Sequence, residues 1–335
     1  MSLRLEMLQV ARLAPKLLGD ATELVRSFLL REQNPDGGFK DRTGRSDLYY
    51  TVFGLDGLVA LEVSGNASQA PSAKSAGQNQ TPFERLEQTA EYLQEFGCGE
   101  DLDFVHACCL ARAWAALTNI NPRAGSRQIN NELSRRIESF RSKDGGYSPV
   151  LGADFGTAYG GFLALGAVQD LKMEVPEPLR LVQSLKYLET SDGAWRNERH
   201  LQSALPPSLR SGAPNRNPQS ATGSTNASAA AVTLLRYLGQ PVNPAVGHWL
   251  LARCYPQGGF LAMPGAPMPD LLSTATALHA LAGMQADFSA VKEPCLDFVD
   301  SLWTNEGAFH GSWGDETLDC EYTFYGLLAL GHLSL

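Results

Sequence analysis

Toward its C-terminus the sequence gathers side chains able to hold a cation. Asp270, His310, Asp315, Asp319 and Glu321 all lie toward the end of the chain, four of them within the string FHGSWGDETLDCE. Carboxylates and imidazole are ordinary zinc donors, so Asp270, His310, Asp319 and Glu321 form one candidate metal set. The same residues also read as helix caps and first-turn acids, which the positive end of a helix favours. The capping reading is preferred, so no metal or other cofactor is expected, with zinc as the alternative. Cys98, in GCGED, could be a thiolate stabilised at a helix start, or simply a turn cysteine. His106 and His279 fall inside apolar segments, where a lone histidine is usually a hydrogen-bonded core residue.

A second group of chemically useful side chains is aromatic. Tyr49, Tyr50, Phe53, Phe104, Phe155, Tyr159, Tyr322, Phe324 and Tyr325 cluster where apolar segments begin, while other such segments carry Gly160, Gly161 and Ala229 to Ala231. Large rings at one end and small residues elsewhere could line a cavity for an apolar ligand, or could simply fill a core.

The elements that must position these residues repeat. A turn recurs as PDGGF (35–39), KDGGY (143–147), SDGAW (191–195), PQGGF (256–260) and NEGAF (305–309), with a degenerate copy in EFGCGED (95–101). The interval is about 48 to 65 residues, a period typical of stacked repeats. Before each turn lies an amphipathic segment such as ATELVRSFLLREQ, with apolar residues at i, i+3, i+4 and i+7. After it comes a segment apolar nearly all round, such as SDLYYTVFGLDGLVAL or PDLLSTATALHAL. That is the composition of a buried helix. Each unit is therefore an outer helix, a Gly-rich turn that ends it through left-handed dihedrals, a loop, and an inner helix capped by Asp, Ser or Asn. One pair cannot bury its inner helix, so units must stack. Cover on every side favours closure into a ring: an all-α (α/α)6 toroid, one domain over 1–335. The Ala/Ser/Gln-rich stretch at about 64–82 and the Pro/Ser/Asn-rich stretch at 206–225 read as flexible insertions.

Composition bounds the partners. Net charge is −9 over 335 residues with no basic stripe, which disfavours nucleic acid. The N-terminal stretch carries Arg4, Glu6 and Arg12 and is not expected to be a signal peptide. No run approaches a membrane span. The six cysteines show no paired spacing and read as reduced, so a cytoplasmic location is expected.

The recurring GGF…D…T…GL.AL resembles the prenyltransferase and squalene-cyclase repeat. In layout the chain is similar to the β subunit of protein prenyltransferases of the Rab geranylgeranyltransferase type. The resemblance implies an α/α toroid binding an isoprenoid diphosphate in its cavity, a zinc ion that activates an acceptor cysteine, and a helical-repeat α subunit as partner. Carried over position by position, Asp270 matches the Asp of the D-x-C pattern, but the Cys place is Leu272. Asp319 matches the Asp before the zinc-binding His, whose place is Tyr322. Ser273 stands at the Tyr that touches diphosphate, and PGAPMP (264–269) supplies none of the family's Arg and Lys. The cyclase acid motif D-x-D-D has its nearest string in Asp101-Leu102-Asp103-Phe104, which lacks the adjacent pair. GCGED resembles a complement-type thioester site, but Asp101 replaces the required Gln.

The expectation is thus a toroid whose cavity, lined by Tyr50, Phe104, Tyr159, Ser273 and Tyr322, binds an apolar or isoprenoid-like ligand. Asp270 and Asp319 at its mouth are the candidate catalytic residues, and prenyl transfer, if any, does not use the usual zinc site. The competing expectation is a non-catalytic scaffold that binds a protein or peptide through the face where inner helices begin.

Overall fold

The computed structural model describes residues 2–62, 82–120, 127–199 and 222–335. Two short helices come first, α1 (Leu3–Ala11) and α2 (Pro15–Leu18). Six pairs follow: α3 (Thr22–Arg31) with α4 (Leu48–Glu62), α5 (Pro82–Gln94) with α6 (Phe104–Ile120), α7 (Arg127–Glu138) with α8 (Ala158–Asp170), α9 (Pro178–Lys186) with α10 (Thr225–Tyr237), α11 (Ala245–Leu251) with α12 (Leu271–Gly283), and α13 (Ser289–Ser301) with α14 (Cys320–Leu333). The second helix of each pair is the inner one. Inner helices pack in the order α4, α6, α8, α10, α12, α14, and α14 returns to α4, so the ring closes. Most of the two stretches expected as insertions lies outside the described residues; Pro82 opens α5, and Ser224 and Thr225 begin α10.

The turns work differently from the expectation. The outer helices end before the glycines do: α3 stops at Arg31 with Glu32 right-handed at its C-cap. The first glycine instead forms the tip of a tight hairpin. Gly37, Gly145, Gly193, Gly258 and Gly307 all have positive φ, and each donates its N–H to the carbonyl three residues back. The aromatic that follows pairs with the residue six before it, as Gln33 with Phe39 and Trp303 with Phe309. Phe39, Tyr147, Trp195, Phe260 and Phe309 are all buried. Two of these rings sit on glycines of inner helices, Phe39 on Gly54 and Phe309 on Gly326, where any Cβ would overlap the ring. In the first unit the hairpin extends into a two-residue ladder, β1 (Phe39–Lys40) with β2 (Ser46–Asp47).

Every inner helix carries a side-chain cap. Asp47, Asp103, Thr157, Ser224, Asp270 and Asp319 each accept a hydrogen bond from a backbone N–H two or three residues on. The cap of α8 is a threonine, Thr157, where the sequence pattern predicts Asp, Ser or Asn.

The N-terminal helix α1 has no counterpart in the repeat. It packs against α14, α4 and α8 at the end of the ring where inner helices finish. Gly331 of α14 meets the Val10 carbonyl so closely that no side chain would fit there.

Candidate functional site

The ring encloses a cavity of about 310 Å³. Along α8 it is lined from Tyr159 in the first turn to Asp170 in the last. At 1.5 Å per residue that is a depth of roughly 16 Å. Its wall is mainly apolar, built from Phe53, Phe162, Leu163, Ala229, Ala230 and Leu272. A Cβ built at Gly166 of α8 would meet nothing within 4 Å, so that glycine faces open space.

The closed end is the floor made by α1, which contributes Leu3, Arg4 and Met7. Arg4 is only 2% exposed, and its Nε donates to Asp56 Oδ1 at 2.9 Å. The other carboxylate oxygen of Asp56 accepts from Arg112 Nε at 2.8 Å. Arg112 Nη2 lies 2.6 Å from the same oxygen but out of line for a hydrogen bond. Asp170 lines the cavity beside this triad, and burial pushes its carboxyl up to about 7 against the pull of Arg4 and Arg112. Ser2 holds Asp170 from the outside, and the Leu3 N–H donates to Gln169. On the opposite flank of α1, Glu6 accepts from Arg236 and Tyr237 of α10. His279, on the cavity wall, has its Nδ1 3.1 Å from His332 Nε2. Burial lowers its pKa to about 4, so both rings are neutral at pH 7.

The mouth is ringed by phenols. Tyr49, Tyr159 and Tyr325 line it, and the Tyr49 hydroxyl donates to Glu321 Oε1 at 2.6 Å. Burial pushes the Glu321 carboxyl up to about 7.

The residues singled out in the sequence occupy varied places. Tyr159 lines the cavity. Phe104 lies between inner and outer layers, against Phe140 and Tyr147. Ser273 is fully buried and donates to Asp270 Oδ2, whose Oδ1 caps α12. Tyr322 packs over Gly311 and under the Arg42 guanidinium. The Asp319 oxygen not used for capping accepts from Arg42 Nε at 3.0 Å, and Arg42 also reaches Asp315. Tyr50 is half-buried next to Arg42 and Asp319, and burial, with the Asp319 charge, raises its pKa. His310 pairs by backbone with Leu318. Asp270, Asp319 and Glu321 thus have separate side-chain partners, while His310 Nδ1 is buried with no hydrogen-bond partner. Among the described residues no group of three or more His, Cys, Asp or Glu is placed to hold a metal. Cys98 is partly exposed, and burial and Glu100 raise its thiol pKa, opposite to a thiolate at a helix start.

Sequence reasoning did not single out Arg4, Arg112, Asp170 or Arg42. The apolar spacing of Leu3, Met7 and Ala11 at i, i+4 and i+8 is the signal that could have marked α1 as a helix with a buried face. Nothing local indicates what that face covers.

A family model described as the prenyltransferase alpha-alpha toroid domain matches residues 6–82 and 220–333, more than half of the chain. The chain belongs to the prenyltransferase α/α-toroid family. No curated protein matches it in sequence. Among solved structures, it is similar to a protein from Actinoplanes (14% identity, TM-score 0.59, covering 94% of this chain and 99% of that one). It is also similar to the Candida albicans protein geranylgeranyltransferase-I complexed with GGPP (11%, TM-score 0.58, 93% and 90%). A third is a variant of the type II terpene cyclase MstE from Scytonema, solved with geranylgeranyl dihydroxybenzoate (14%, TM-score 0.57, 96% and 97%). At these identities the likeness is one of fold.

As a member of this family the toroid does not fit the zinc its transferase relatives imply. Leu272, at the Cys place, is a cavity-wall leucine, and Tyr322, at the His place, is stacked under Arg42. Asp270 is the one matching ligand, and both its oxygens are engaged. A lone carboxylate of this kind does not make a zinc site.

Proposed function

We propose that this toroid binds an isoprenoid or similarly apolar chain along its axis, as a divergent relative of the protein prenyltransferase β subunits. The observation that carries the reading is an enclosed, mainly apolar cavity with unfilled space at Gly166. Burying an extended chain there removes apolar surface from water at about 25 cal/mol per Å². The Candida transferase with GGPP and the Scytonema cyclase with geranylgeranyl dihydroxybenzoate both hold geranylgeranyl compounds, which supports the same use of this bore. Transfer through zinc is not part of the proposal.

Calorimetric titration of the purified chain with farnesol and geranylgeraniol tests it. Saturable binding is expected, and Gly166→Phe, which fills the space, should weaken it by about tenfold or more. Absence of saturable binding by either alcohol would sink the reading.

A second reading, a surface that docks a helical-repeat subunit or a peptide, has one specific observation in its favour. Met263, Met268 and Trp313 are exposed on the loops leading into α12 and α14. Trp313→Ala should then abolish capture of such a partner without altering farnesol titration. Farnesol binding with no effect of Trp313→Ala on any association favours the cavity alone.

A further inference from the structure

We infer that the closed end of the cavity is a carboxylate-recognition site, so that the apolar chain bound there carries a carboxylic acid at its inner end. The inference rests on the proposed use of the cavity and adds the class of ligand.

Two guanidiniums meet at the floor, from α1 and from α6. Arg4 has an Nη2 atom that is shielded from solvent and has no hydrogen-bond partner, whereas Arg112 Nη2 lies 2.6 Å from Asp56 Oδ2 in an ion pair. Both residues line the cavity. A buried donor without a partner is costly, more so when it is charged. Asp56 takes the Nε of Arg4 on one oxygen and the Nε and Nη2 of Arg112 on the other, so its two oxygens are used. Asp170 lies near enough for its charge to interact with both arginines, yet it forms no ion pair with either. The free Nη2 of Arg4 is therefore left at the cavity floor, with the Arg112 guanidinium and the Asp170 carboxyl lining the cavity there too.

While Asp170 holds its proton, charge favours an anion there. Both arginines are charged at any working pH, and Asp56 balances only one of them. Asp170, when protonated, balances none and offers an O–H donor. A single carboxylate would neutralise the surplus and accept from the free Nη2 of Arg4, with the Arg112 charge beside it. An alcohol would leave the surplus in place. A diphosphate carries more charge than the floor can balance, and the apolar side chains of Leu3 and Met7 stand beside it. Such a ligand would lie with its chain against Phe162, Leu163 and Ala230 and its far end among the tyrosines of the mouth.

The test compares farnesoic acid, farnesol and methyl farnesoate by calorimetry at pH 7 on the full chain. The acid is expected to bind about tenfold or more tighter than the alcohol or the ester, the scale of a charge-assisted hydrogen bond. In Arg4→Gln the ratio of acid to ester should fall to about one, and in Arg4→Lys, which keeps the charge but loses the fork, it should be intermediate. Hexadecanoic acid run alongside distinguishes a straight-chain from a branched source, the tighter binder naming it. An acid that binds wild type no tighter than its ester overturns the inference, and that comparison needs no variant to fold. If alcohol and ester bind and the acid gains nothing, this inference alone fails. If none of the three binds, the use of the cavity fails with it.

Discussion

Glu321 is the residue whose environment departs furthest from its sequence reading. As a first-turn acid it would be solvated and ionised; instead it is largely enclosed, with the Tyr49 hydroxyl on one oxygen. Burial moves its carboxyl from 4.5 to about 7. A raised acid pKa means that the folded state holds its proton where the unfolded state has lost it. Stability from this group is therefore full below pH 4.5 and declines as pH rises to about 7, by on the order of 2–3 kcal/mol. Asp170 adds a decline of the same sign. Denaturant unfolding of wild type and Glu321→Gln across pH 4.5 to 7 should show a shallower decline in the variant, and equal slopes would contradict the burial argument. Tyr49→Phe should push the Glu321 titration higher still, read by carbon-13 NMR, because the phenol hydrogen bond favours the carboxylate. The capping roles of Asp270 and Asp319 were legible in the sequence, since an Asp before an apolar run is a local signal. The partners that engage their other oxygens were less so. Arg42 reaches Asp319 across 277 positions of chain, and no local pattern announces that.

At the scale of elements, the six helix pairs could be read from the repeat, because period and polarity are properties of neighbouring residues. The floor could not, because α1 has no repeat to be compared with and its partners lie on four distant helices. Asp56 of α4, Arg112 of α6, Asp170 of α8 and Arg236 of α10 all come to face its Arg4 and Glu6. The seam between α4 and α6 shows how inner helices are held at the other end. His106 Nε2 lies 3.2 Å from Asp47, the cap of α4, and its Nδ1 lies 2.8 Å from Asp103, the cap of its own helix. The Asp47 hydrogen bond, against burial and with help from Asp103, raises the His106 pKa to about 9. A raised histidine pKa stabilises the fold fully below pH 6.5, and that contribution fades as pH climbs through 9. His106→Gln should therefore be less stable than wild type at pH 6 and nearly equal to it at pH 10, measured by thermal unfolding. A penalty that stays constant over that range would show that the imidazole acts by packing alone.

The whole molecule depends on a ring that closes, and the closing contacts repeat those between ordinary neighbours. Gly37 sits against Gln88 of α5, Gly145 against Arg180 of α9, and Gly258 against Pro294 of α13, so in these three units the hairpin tip touches the next outer helix. Gly307 makes the same approach to Leu24 of α3, which returns the last unit to the first. Arg42 bridges the same seam from the first hairpin to Asp315 and Asp319. The closure has a sharp internal control, because Gly193 has the same left-handed φ but open space around its Cβ. Alanine at Gly193 meets only backbone strain, costing about 1 kcal/mol. Alanine at Gly307 meets that strain and the Leu24 carbonyl, costing about 2–5 kcal/mol. If the ring folds as one cooperative unit, Gly307→Ala should lower the urea midpoint and leave the slope unchanged. If the seam opens first, as a stack of nearest-neighbour units allows, the slope should fall and a second transition should separate. The closed bore requires the first outcome, because the cavity has walls on all sides only while α14 lies against α4. Farnesol added to Gly307→Ala should then restore part of the lost midpoint, since a ligand held by all six inner helices stabilises only the closed form.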